Sequence, residues 1–158
     1  MPTKKMILTQ NLAFNLPLCV VMTITAAIAS GAGFNPGTII QYFIGLVVIE
    51  ILGAIVPVQK IAMGIGAKFF PGKNPMMMPQ FLLPAAVLTV IFTVPMTLIM
   101  TWVGMKMGGA PMNMYGFAFL GALPKMLLAA YIGVLIFLPL SMKISGMDKL
   151  AGGPPPQN

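Results

Sequence analysis

Residues 38–60 read TIIQYFIGLVVIEILGAIVPVQK, and the reading of this stretch decides the fold. About twenty successive apolar-rich residues are enough to cross the hydrocarbon core of a bilayer as one helix. Glu50 stands in the middle of it and is the only acid before Asp148. A carboxylate at that depth destabilises the span unless it has a partner or a proton. The remainder of the chain reads as a scaffold around that residue.

The composition places the scaffold in lipid. Of 158 residues, 58% are hydrophobic and 7% charged, where a soluble domain carries about a quarter charged residues. A soluble fold of this size has no way to bury so much apolar surface. All nine basic residues are Lys, with no His, and the net charge is +7. The Lys residues are spread between apolar spans, without Arg for bidentate base readout or a basic stripe with interleaved aromatics, so nucleic acid is not expected as a partner. Anionic lipid is the simpler counter-charge. The single cysteine, Cys19, excludes an intrachain disulfide.

Working outward, residues 12–31 form a first apolar span. Lys4 and Lys5, the apolar run and Ala27-Ile28-Ala29 before Ser30 resemble a secretory signal. About twenty apolar residues are long for a signal core, so the stretch is read as a retained helix. Pro17 is expected in its first turns. Gly33-Phe34-Asn35-Pro36-Gly37 is a turn by composition, which makes the first two helices an antiparallel hairpin. The second helix is expected to run past Pro57 to about residue 70, with a kink at Pro57. Lys60 and Lys68 then reach the headgroup level. Residues 81–103 form a third span and residues 115–142 a fourth, with Pro95 inside the third and Pro124 and Pro139 inside the fourth, all three expected as kinks. Residues 151–158 are expected to be a disordered tail.

Seven lysines (Lys4, Lys5, Lys60, Lys68, Lys73, Lys143, Lys149) fall on one side of a four-span arrangement, and Lys106 falls on the other. The positive-inside rule then places both termini in the cytoplasm, with the chain a multi-pass protein of a bacterial cytoplasmic membrane.

The two halves resemble each other. Phe14-Asn15-Leu16-Pro17 opens the first span and Phe81-Leu82-Leu83-Pro84 the third. Pro57-Val58-Gln59-Lys60-Ile61 closes the second, and Pro139-Leu140-Ser141-Met142-Lys143-Ile144 the fourth. Residues 1–75 and 76–150 are therefore read as two tandem helical hairpins. Because each holds two spans, they are parallel repeats related by an axis along the membrane normal. On the early prolines Pro17 and Pro84 and the Pro-then-Lys endings Pro57/Lys60 and Pro139/Lys143, the chain resembles the bacterial domain-of-unknown-function 2798 family of two-helix membrane units. That resemblance covers about residues 10–150. It implies an all-α integral membrane architecture and no activity; this chain uses Lys where such endings often have Arg.

Chemistry has few places to sit. Glu50 and Lys125 fall at similar depths below the outer surface when counted from the helix starts, which permits an ion pair across the bundle. Such a pair serves either as structural glue or as a proton or ion relay. Thr89, Thr93, Thr97 and Thr101 recur every fourth residue on one ridge, either as helix packing or as a polar pore lining. Thr hydroxyls can also satisfy the carbonyl that Pro95 frees near Ile91. The sixteen Met residues offer thioethers to copper(I), but without loop Cys or His the expectation is no metal and no cofactor. There is no nucleophile paired with a base, so the protein is not read as an enzyme. Small-residue ridges invite homo-oligomers. The expected function is a homo-oligomeric channel- or transporter-like protein for an ion or small solute. The alternative is a non-catalytic scaffold or accessory subunit on another membrane protein.

Overall fold

The computed structural model describes residues 3–29, 31, 33–73 and 79–146. The expected tail, Asp148, Lys149 and the 75/76 boundary lie outside the described residues. The chain forms five α-helices: α1 (Lys4–Ala29), α2 (Pro36–Ile55), α3 (Val58–Phe69), α4 (Leu82–Gly108) and α5 (Tyr115–Ser145), with a 3₁₀ turn at Met112–Met114 before α5. Four segments, Lys4–Ala29, Pro36–Ile55, Leu82–Gly108 and Met112–Ser145, are long and apolar enough to cross a membrane.

The helix ends follow local chemistry. Asn35 caps α2 in a reciprocal box: its side chain accepts from the Thr38 backbone N–H at 3.2 Å, and the Thr38 hydroxyl accepts from the Asn35 N–H at 3.2 Å. These bonds satisfy donors that the first turn leaves open, and Pro36 has no N–H there to lose. Gly109 (φ 66°) and Gly146 (φ 73°) close α4 and α5 in the left-handed region, where glycine has no Cβ penalty.

Three boundaries differ from the sequence reading; the simplest is that α4 continues to Gly108, five residues past the expected end at 103. Pro57 does not kink one continuous helix; it separates α2 from α3. Val56 before it is extended, at φ −85° and ψ 115°, because the proline ring crowds a helical residue at that position. The first helix begins at Lys4 rather than near residue 12, so Pro17 is interior to it. The charged and polar lead-in was read as lying outside the span, but a helix can continue past the apolar boundary while its backbone stays hydrogen-bonded. Pro95 sits inside α4, and Pro124 and Pro139 sit inside α5.

The core is built from fourth-residue stripes, as helical periodicity requires. Phe14, Leu18 and Met22 come from α1, Leu88, Phe92, Met96 and Met100 from α4, and Met126, Ala130, Val134 and Leu138 from α5. Phe14 meets Phe92 edge to face at 6.4 Å between centroids. A close contact lies at Gly133, where a Cβ would stand 2.8 Å from Leu18 Cδ1; the bare glycine leaves room for Leu18 between α1 and α5. α1 packs on α5 and α2, while α4 packs on α5, α2 and α3. The four long helices thus form a ring in the order α2, α1, α5, α4, with α2 and α5 on opposite corners. On α2, Ile39, Phe43, Val47, Ile51 and Ile55 form an outward stripe, each more than half exposed.

Candidate functional site: two polar cavities on either side of a packed centre

Glu50 lies half-buried on α2. Its Oε1 accepts a hydrogen bond from Asn15 Nδ2 of α1 at 2.9 Å. Asn15 is only 2% exposed, so the packed α1–α2 interface holds the donor in place. Gly53, one turn along α2, lies beside that amide: a Cβ there would stand in ordinary contact, 3.5 Å from Asn15 Nδ2. A hydrogen bond to a carboxyl oxygen contributes about 1.5–3 kcal/mol where that group is charged.

The expected Glu50–Lys125 ion pair does not form. Lys125 is exposed and lines a cavity of about 800 Å³ in which Glu50 takes no part. Two features of the packing keep them apart. α2 and α5 occupy opposite corners, without substantial direct packing. Gln41, which shares Lys125's cavity, is nine residues from Glu50, about 13 Å along the helix axis. Depth counted from helix starts ignored the lateral order of the helices, and that order gave Glu50 a nearer partner.

Asn15 is the site residue the sequence reading missed as a partner, and a signal for it existed. It stands fourteen residues before the end of α1, and Glu50 stands fourteen residues after the start of α2. In an antiparallel hairpin, equal distances from the turn bring two residues level.

The larger cavity lies between α1, α2, α4 and α5 near their connecting loops. Lys125, Gln41, Thr97 and Thr101 supply its polar groups, and Met100, Met105 and Met126 much of its apolar wall. A smaller cavity of about 250 Å³ opens at the opposite end, near the start of α1, with Gln10, Asn11 and Lys60 in its lining. The two share no described lining residue. On α1 the lining resumes at Ala26 after Phe14; on α2 it resumes at Gly53 after Gln41. Each gap is twelve residues, about 18 Å of helix axis. Leu18, Ile49 and Met96 fill that gap, each 2% exposed or less. Cys19 is buried there too, its thiol donating to the Tyr42 carbonyl at 3.4 Å.

The threonine ridge runs beside the α4 core stripe. Thr89, Thr93 and Thr97 are at most 3% exposed, and Thr101 is half-buried. Thr89 donates to the Ala85 carbonyl of its own helix at 2.7 Å. The buried Thr93 and Thr97 hydroxyls have no hydrogen-bond partner, so they do not satisfy the carbonyl freed by Pro95. Thr97 is the one of these two that borders the large cavity. Among the described residues no cluster of three or more His, Cys, Asp or Glu side chains could hold a metal ion.

These features define a helical bundle whose four long helices have the length and apolar character to cross a membrane, with a polar cavity at each end. No family model, curated protein or solved structure matches the chain.

Proposed function

We propose that the protein is a multi-pass bacterial cytoplasmic-membrane protein that moves an ion or small solute, in the manner of a channel or transporter, and works as a homo-oligomer. One observation carries this reading: cavities with polar groups in mainly apolar linings at opposite ends of the bundle, separated by about 18 Å of packed helix. A solute path closed at its centre has this form, and alternating access needs a site that faces one side at a time. The lysine distribution supports cytoplasmic termini, which puts the smaller cavity inside and the larger one outside. The tandem-hairpin reading, like the resemblance to two-helix membrane units, is supported by the ring order. An axis along the bundle that exchanges α1 with α4 and α2 with α5 also exchanges the α1–α5 and α2–α4 contacts. Glu50 with Asn15 sits between the two cavities and lines neither, one turn from Gly53 of the inner one, while Lys125 lines the outer one.

Flux through reconstituted liposomes tests the proposal. Wild-type protein is expected to pass a solute that empty liposomes retain, and Glu50→Gln and Lys125→Met are each expected to slow it by about ten-fold or more. Unchanged flux in both variants would count against the reading.

A second reading, a non-catalytic scaffold or accessory subunit, is favoured by the outward stripe on α2. Such a stripe serves a protein partner or a second copy as well as it serves lipid. Crosslinking from cysteines placed at Phe43 and Val47 in native membranes separates these cases. Discrete adducts favour docking, and none favours lipid contact.

A further inference from the structure

The larger cavity places an ammonium, an unused hydroxyl and an unused amide in one space without a carboxylate. Lys125 is exposed and lines it. Glu50, the only acid among the described residues, is engaged by Asn15 elsewhere. An ammonium within a membrane-depth cavity destabilises the protein unless an anion or water accompanies it. Thr97 points to a ligand independently. Its side chain is 1% exposed, its hydroxyl has no partner, and it borders the cavity. A buried hydroxyl without a partner costs about 1–3 kcal/mol, and a χ1 rotation that turns it toward the cavity lets an occupant with acceptor oxygens remove that cost. The side chain of Gln41 borders the same space: a Cβ on Gly104 would stand 3.1 Å from its Nε2.

We propose that this cavity binds an amphipathic monoanion, with its charged oxygens toward Lys125 and the Thr97 hydroxyl and its apolar part against Met100, Met105 and Met126. One lysine among the lining residues balances one negative charge, which favours a monoanion over a dianion. A volume of about 800 Å³ lies in the range of small-molecule sites and greatly exceeds what a halide needs. Flexible thioether side chains adapt to apolar tails of differing shape. Two sources share this chemistry: a free monocarboxylate, or the phosphodiester of an anionic lipid from the outer leaflet. The inference deepens the transport reading by naming the solute class, but binding can be measured without flux.

The test is calorimetric titration of the detergent-solubilised full chain with hexanoate, hexylammonium, hexanol and dihexanoyl phosphatidylglycerol. Hexanoate or the short-chain lipid is expected to bind at least about ten-fold more tightly than hexanol, and hexylammonium not at all. Hexanoate alone identifies a free carboxylate as the source, and the lipid alone identifies the headgroup. Lys125→Met is expected to weaken the anion by about ten-fold or more, Thr97→Val by a few-fold, and Lys125→Arg to retain it. Retention in Lys125→Arg shows that the position tolerates substitution without misfolding. Hexanol or hexylammonium binding as tightly as either anion, or Lys125→Met leaving affinity unchanged, overturns the proposal. Anion binding without liposome flux would leave this inference standing and sink the transport reading. Flux of a cation without anion binding would do the reverse.

Discussion

Glu50 and Lys125 are the two charges placed away from the ends of the long apolar helices, and the structure treats them in opposite ways. The acid is half-buried on a packed interface and accepts from a neighbouring amide at 2.9 Å. The base faces an open volume with no ion pair to that acid. A charge inside a bundle is made tolerable either by a fixed partner from the fold or by space for water or a ligand. The first arrangement adds to stability. The second leaves a group available for binding.

Breaking the packed side is expected to have the largest effect. Asn15→Leu removes the donor and leaves the Glu50 carboxylate without its amide. It is expected to destabilise the protein by about 2–3 kcal/mol in reversible unfolding from mixed micelles. Gly133→Ala probes the same half without touching charge. The new methyl would stand 2.8 Å from Leu18 Cδ1, so the buried Leu18 side chain or the two helices must shift, at about 1–3 kcal/mol in the same assay. A double-mutant cycle between Asn15→Ala and Glu50→Ala then sharpens the comparison, with a coupling of about 1.5 kcal/mol or more. The same cycle between Glu50→Ala and Lys125→Ala is expected to return less than about 0.5 kcal/mol. The smallest effect belongs to the open side. Lys125→Met alone is expected to change stability by no more than about 0.5 kcal/mol. Cysteine at position 125 should nevertheless react with a polar maleimide far faster than cysteine at position 50.

Much of the fold was legible along the chain. The four long apolar segments, the Asn35-Pro36 turn and the inward fourth-residue ridge of α4 all depend on neighbours within a few positions. Helix periodicity and capping are local properties of that kind. Pro57 was legible as a disturbance but not as a break. The outcome turned on whether Val56 stayed helical, and the ring of the next residue decided that. The candidate site was only half legible. Glu50 and Lys125 stood out by charge, but Asn15 was one polar residue among several at the start of α1. Gln41 and Thr97 gained meaning only when a cavity joined them.

By itself the sequence determined that this is an all-helical chain with four segments suited to a membrane, carrying one acid and one base away from their ends. Length, apolar content and residue type are sufficient for that, because each helix satisfies its own backbone hydrogen bonds. The tertiary structure alone decided which helices are neighbours, and therefore that Asn15, not Lys125, receives the carboxylate. Lateral order rests on shape matches such as bare Gly133 against Leu18, and helices of nearly equal apolarity do not announce those matches in one dimension.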